Sequence, residues 1–420
     1  MALDKIRIHG SNKPLQGEIQ ISGSKNAALP LLALTVLGNK PCTIHNVPHL
    51  EDINNMIRIL EHMGAKVKRE GTTITVDAET LTSHEAPYDI VRKMRASVVF
   101  MGPLLAKYGE AKVSLPGGCA IGVRPIDLHL KAFEALGASI QIEEGYVLAK
   151  GSKLKGIKIF FDKITVTGTM NAMMAAAQAE GETILQNCAK EPELICFAEA
   201  MRRMGVQVSG DGTDTITIQG TQNIGGFEID NISDRIETGT YMIAAAITGG
   251  ELYLKNTDPA FLESVIAKLK QTGSAVEEEK NGIWVRAGKK ILPCNIETQP
   301  HPGFPTDMQA QFVAMLCLAE SKSVVSETIF ENRFMHVPEL ARMGADLKVS
   351  GHIVAISGVK KLKGAPVMAT DLRASASLIL AGLVAEGTTD VLRVYHLDRG
   401  YERMDLKLKA VGVNIERIPE

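Results

Sequence analysis

The chain has 420 residues, 45 % of them hydrophobic and 22 % charged, a globular balance that excludes a disordered polyelectrolyte and outgrows one ordinary core. A net charge of −2 supplies no global field for nucleic acid or an anionic membrane, and no apolar run approaches bilayer length. Six cysteines (42, 119, 188, 196, 294 and 317) are scattered without a Cys-x-x-Cys pair, which argues against a disulfide framework or zinc knuckle. Residues 1–8 alternate charged with apolar side chains and lack the apolar core of an export signal, so a reducing, cytoplasmic setting is expected.

In chain order, a small-residue apolar helix is predicted over 26–37 and a short strand over 40–47. An amphipathic helix then stops at Gly64 and the chain turns into a strand (60–67). Apolar helices recur at 96–107, 171–180, 238–248, 309–320 and 374–386. The helix–glycine–strand phrase recurs at 136–140, 201–208, 269–276, 340–347 and 408–415. Its glycines are Gly64, Gly137, Gly205, Gly273, Gly344 and Gly412, at intervals of 73, 68, 68, 71 and 68 residues. So regular an interval means repeated supersecondary units. Each unit reads β-α-β-α-β-β, with one helix apolar all round and buried and the other amphipathic and outside. Three units per domain give two similar α/β domains, with a break near 228–233.

One stretch, 114–129, departs from this rhythm. Pro116, Gly117, Gly118 and Gly122 make it a loop. Cys119 sits in that loop, five residues before Arg124; Pro125 suits a first helical turn and Asp127 the positive end of its dipole. A thiol, a guanidinium and a helix start form a place to hold an anion beside a reactive sulfur. The alternative is a surface loop whose cysteine only packs.

The starts of the apolar helices carry unusual charged or amide residues: Lys25-Asn26, Arg95, Thr169-Met170-Asn171, Asp234-Arg235, Thr306-Asp307 and Asp371-Leu372-Arg373. Ordinary capping accounts for Asp234 and Thr306, whereas Lys25, Arg95 and Arg373 oppose the dipole. Parallel buried helices would gather these ends, with Lys25, Arg95, Arg235 and Arg373, into a polyanion site. Other motifs fail. Gly288-Lys289 is followed by Lys290 and makes no phosphate loop, and 117–122 is not a dinucleotide fingerprint. Pro48 breaks the helical face that His45 and His49 would need for zinc. No metal and no cofactor is called for.

The motifs 21–30 (ISGSKNAALP), 115–119 (LPGGC), 124–129 (RPIDLH), 234–239 (DRIETG), 304–309 (FPTDMQ), 371–373 (DLR) and 398–403 (DRGYER) carry a resemblance over essentially the whole chain. It resembles the UDP-N-acetylglucosamine 1-carboxyvinyltransferases of the EPSP synthase superfamily. Met170 departs from the glutamate common there. The resemblance implies an inside-out α/β barrel in each domain, one over 22–230 and the other over 1–21 with 231–420. It implies transfer of the enolpyruvyl group of phosphoenolpyruvate to the 3′-hydroxyl of UDP-N-acetylglucosamine, with release of phosphate, in peptidoglycan precursor synthesis. By the same resemblance Cys119 donates the proton to the methylene carbon, can also add covalently to C2, and is the target of fosfomycin-type epoxides. Asp307 is the base at the sugar hydroxyl, Lys25, Arg124 and Arg399 clamp phosphoenolpyruvate with Arg373 close by, and Asp371 assists proton transfer. The UDP-sugar contacts carry over to Asn26, Arg95, Arg124, Pro125, Ile126, Asp127, Leu128, Lys163, Ile164, Thr165, Val166, Asp307 and Ile329. Read as ordinary residues, Asp307 is an N-cap, Lys163 a solvated strand residue and Ile329 core. A monomer acting on two small substrates, without nucleic acid or membrane insertion, is expected. Two rivals stand: a sister transferase acting on shikimate 3-phosphate, and a non-catalytic UDP-sugar sensor.

Overall fold

A computed structural model describes residues 4–11, 13–86, 95–115 and 126–419. Cys119, Arg124, Pro125 and the Arg95 side chain lie outside it. Among the described residues the strands form six four-stranded sheets. In the third repeat, strands Lys158–Phe160, Glu182–Gln186, Gln207–Ser209 and Thr215–Gln219 lie in the order first, second, fourth, third. The first pair is parallel and the others are antiparallel. Thr215–Gln219 shows why it is a strand: Ile216 and Ile218 point to the core and are fully buried, while the alternate residues face outward. The other five sheets repeat this order.

Three sheets borrow a strand from far along the chain. Asp4–His9 lies between Thr388–Leu392 and Ile415–Pro419 as the fourth strand of the sixth sheet. Gln16–Gln20 pairs in parallel with Glu251–Lys255 as the first strand of the fourth sheet. Glu228–Asp230 pairs in parallel with Cys42–His45 as the first strand of the first sheet. The chain accordingly divides into two compact units, whose described residues fall within 23–232 and within 4–22 plus 233–419.

Each unit has three helices at its centre. In the first they are Lys25–Leu34, Met101–Tyr108 and Val166–Ala176; in the second, Arg235–Thr248, Gln309–Leu316 and Leu372–Val384. Each trio packs together, and the sheets enclose it. Each unit is thus an inside-out α/β barrel. The six amphipathic helices lie outside, and the glycine after each has φ of 102°, 102°, 96°, 96°, 91° and 102°. Such values disfavour any side chain, which is why this position of the repeat is always glycine.

Three predicted helices need correction, the second central helix first: predicted over 96–107, it is a 3-10 stretch, Arg95–Phe100, followed by an α-helix only over Met101–Tyr108. The third central helix starts at Val166, not 171, because Thr165 caps it: Thr165 Oγ1 accepts the Gly168 N–H at 3.2 Å. Val166 and Thr167 are β-branched and hid this start from a propensity reading. Thr169, Met170 and Asn171 therefore lie inside the helix and are buried. The fifth central helix ends at Leu316 rather than 320, and it is preceded by a 3-10 turn, Thr306–Met308.

Candidate active site

In the unit containing 233–419, the site is built on Asp307, in the 3-10 turn that opens the fifth central helix. Its Oδ1 accepts from Arg333 Nη2 at 2.7 Å and its Oδ2 from Arg373 Nη2 at 2.8 Å. Both arginine side chains are 4 % exposed, whereas the Asp307 side chain keeps 27 % of its surface open. Burial alone would raise the carboxyl, but the Arg373 and Arg333 guanidiniums outweigh it and hold Asp307 well below the usual carboxylate range. Arg373 leaves Nε and Nη1 buried with no acceptor among the described residues. Its guanidinium lies 5.4 Å from the centre of the Tyr401 ring. Gln311 Nε2 reaches the Asp307 carbonyl at 2.9 Å, Thr240 Oγ1 at 3.1 Å and the Tyr401 hydroxyl at 3.2 Å, which fixes the turn from behind.

Two capping readings fall here. Pro305 occupies the N-cap position without a side-chain bond, and Asp307 faces the arginines instead. Thr306 Oγ1 donates to Glu327 Oε2 at 2.8 Å rather than capping. Ile329 is 37 % exposed, so it is not core; its N–H is held by Glu327 Oε1 at 2.8 Å. Asp371 does cap: Oδ1 accepts from the Arg373 and Ala374 N–H groups at 2.8 and 3.1 Å. Buried beside it, His336 is pushed down to about 4 by burial, with Asp371 opposing and Arg333 reinforcing the shift, and is neutral at pH 7. Arg235, also buried, opens the fourth central helix after its Asp234 cap. Arg399 closes the 3-10 stretch Val394–Arg399 and is half-buried.

In the unit spanning 23–232, Lys25 opens the first central helix after the Ser24 cap, whose side chain accepts the Ala27 N–H at 3.3 Å. Lys25 Nζ lies 3.3 Å from Asp52 Oδ2, with side chains 11 % and 2 % exposed. A pair so deeply placed orients the ammonium. Asn26 follows it, half-buried. Asp127 and Leu128 begin the helix Asp127–Ala135, with Ile126 as its N-cap, and Asp127 is exposed. Lys163 is exposed too, but on the connection after Lys158–Phe160, not on a strand. It leads, with Ile164, Thr165 and Val166, into the N-terminus of the third central helix. Arg95 opens the 3-10 stretch Arg95–Phe100.

Sequence reasoning missed Arg333 and Asp52. Asp52 left a signal: it shares a helix face with Asn55, Met56 and Ile59, all buried, and an acid on that face needs a cation. Arg333 left none, because it lies in a stretch without periodicity.

This architecture is that of the enolpyruvyl transferases. The enolpyruvyl transferase NikO from Streptomyces tendae has the same fold, with a TM-score of 0.89 and 23 % identity over the whole of both chains. An EPSP synthase from Acinetobacter baumannii gives a TM-score of 0.76 at 20 % identity, covering 99 % of this chain and 100 % of the other. The sequence model of the EPSP synthase (3-phosphoshikimate 1-carboxyvinyltransferase) family matches residues 10–408, and the chain belongs to that family. Among its relatives are the UDP-N-acetylglucosamine 1-carboxyvinyltransferases of Geotalea daltonii, 52 % identical, and Geobacter metallireducens, 53 % identical. Each aligns over 418 residues and 100 % of both chains. The family resemblance drawn from the motifs is thereby borne out. Among the described residues no helix is long and apolar enough to cross a membrane.

Proposed function

We propose that this chain, as a cytoplasmic monomer, transfers the enolpyruvyl group of phosphoenolpyruvate to the 3′-hydroxyl of UDP-N-acetylglucosamine and releases phosphate, the first committed step of peptidoglycan precursor synthesis. The observation that carries the reading is the Arg333–Asp307–Arg373 cluster, a carboxylate open to a ligand between two buried cations, one with donors to spare. The names of the full-length relatives supply the acceptor sugar.

In this scheme Cys119 protonates the methylene carbon, so that C2 becomes electrophilic and takes the sugar oxygen. Asp307 removes the hydroxyl proton. Loss of a methyl proton then expels phosphate from the tetrahedral intermediate, with Asp371 assisting that transfer. Lys25, Arg124, Arg373 and Arg399 balance the charge of phosphate and carboxylate throughout. Asn26, Arg95, 124–128, 163–166 and Ile329 hold the nucleotide sugar. A base works best with a pKa near the working pH, and Asp307 between two guanidiniums is too weak. An anionic substrate that draws on the same arginines reduces their hold and makes Asp307 more basic, so substrate binding prepares the base. Phosphate release with both substrates, repeated with shikimate 3-phosphate in place of the sugar, tests the reading. Release only with shikimate 3-phosphate, or sugar binding without release, would refute it.

A further inference from the structure

The third central helix carries an asparagine that this scheme does not use. Asn171 is fully buried. Its Oδ1 accepts the Gly102 N–H at 2.7 Å, and its Nδ2 lies 3.0 Å from the Val98 carbonyl and 2.9 Å from His129 Nδ1. A backbone N–H can only donate and a carbonyl only accept, so the two backbone partners fix which end of the amide is which. His129 Nδ1 then accepts, which puts the imidazole proton on Nε2, 3.4 Å from Thr167 Oγ1.

Val98 and Gly102 are the acceptor and donor, four residues apart, that a continuous α-helix would join directly. The Asn171 amide spans them where the 3-10 stretch Arg95–Phe100 becomes the helix Met101–Tyr108. Gly102 makes room: a Cβ there would sit 2.5 Å from Asn171 Oδ1. One side chain thus clips together three helical segments, and their starts carry Arg95, Asp127 with Leu128, and Lys163–Val166. These are three of the segments given above to the nucleotide sugar. A buried amide whose two donors and oxygen are all paired permits one arrangement, because any other strands a polar group.

We propose that Asn171 is a positioning residue which, through His129, sets the mutual placement of the three helix starts that receive the nucleotide sugar. The inference rests on the functional reading above. Steady-state phosphate release by the full-length wild type, Asn171→Leu, His129→Phe and His129→Gln, with each substrate varied separately and melting temperatures recorded, tests it. In Asn171→Leu and His129→Phe the KM for UDP-N-acetylglucosamine rises at least about tenfold. The KM for phosphoenolpyruvate and kcat stay within about twofold of wild type. His129→Gln, whose amide oxygen can accept from Asn171 Nδ2, recovers most of the affinity lost in His129→Phe. Equal rises in both KM values, no rise in folded variants, or no recovery with glutamine overturns the inference. If Asn171→Leu does not fold, the His129 pair decides by the same criteria. A wild type that releases no phosphate refutes the functional reading and this inference with it; a wild type that turns over beside variants of unaltered KM refutes this inference alone.

Discussion

Asp307 stands between two guanidiniums that would face each other if it lost its charge. Asp307→Asn keeps the shape and removes the counter-charge from Arg333 and Arg373, both buried. Leaving such cations unpaired costs about 3 kcal/mol, so we expect a loss of that order in urea unfolding together with loss of turnover. The pH dependence has a defined sign. The folded-state pKa of Asp307 is depressed, so its contribution is present above the unfolded value of about 3.9 and is lost as the pH falls below it. The Asn variant should therefore show a shallower acid limb in stability against pH. Cys119 offers a second test. If its necessary task is to donate a proton, Cys119→Asp should keep substantial turnover with a lower pH optimum and resist fosfomycin-type epoxides, while Cys119→Ala loses turnover but binds the UDP-sugar. An Asp variant as inactive as Ala at every pH would refute the acid role. For the clamp, Arg399→Lys keeps the charge and loses the planar fork, so separate titrations should show weaker phosphoenolpyruvate binding and little change for the UDP-sugar. Lys25, Arg373 and Asp307 were legible because charge at the start of an apolar helix needs a reason. Arg333 was not, since only the tertiary fold brings it to Asp307.

At the scale of elements, the repeated glycine was the most legible feature, and its reason is conformational. A Cβ at Gly412 would meet no atom within 4 Å, yet φ there is +102°. Gly412→Ala thus isolates the backbone penalty, and we expect a loss of about 1–2 kcal/mol with the helix and strand intact, read by thermal unfolding and circular dichroism. An unchanged melting temperature would show that the turn relaxes. The third central helix was less legible because its cap is a threonine followed by two β-branched residues, Val166 and Thr167, and local propensity there opposes the fold. Correcting its start moved Lys163 from a supposed strand to the connection that leads into a helix N-terminus.

At the scale of the whole molecule, the interval of about seventy residues revealed six units. It did not reveal that the first, fourth and sixth sheets each take one strand from far along the chain, since those pairings join segments roughly two to four hundred residues apart. Strand Gln16–Gln20 belongs to the fourth sheet yet leads into the helix Lys25–Leu34 of the first repeat, and Glu228–Asp230 belongs to the first sheet yet leads into Arg235–Thr248 of the fourth. Traced this way, the chain is two closed rings of three repeats that have traded one strand-to-helix link each. Within one unit the Asp234 N–H donates to the Ser22 carbonyl at 2.9 Å, and within the other the Ser24 N–H donates to the Ile232 carbonyl at 2.7 Å, so in each unit the ends to be rejoined already meet. Undoing the trade requires little rerouting. A chain with 1–22 spliced to 233–420 retains every strand of its three sheets and should fold cooperatively alone, whereas 233–420 without 1–22 lacks two strands and should not.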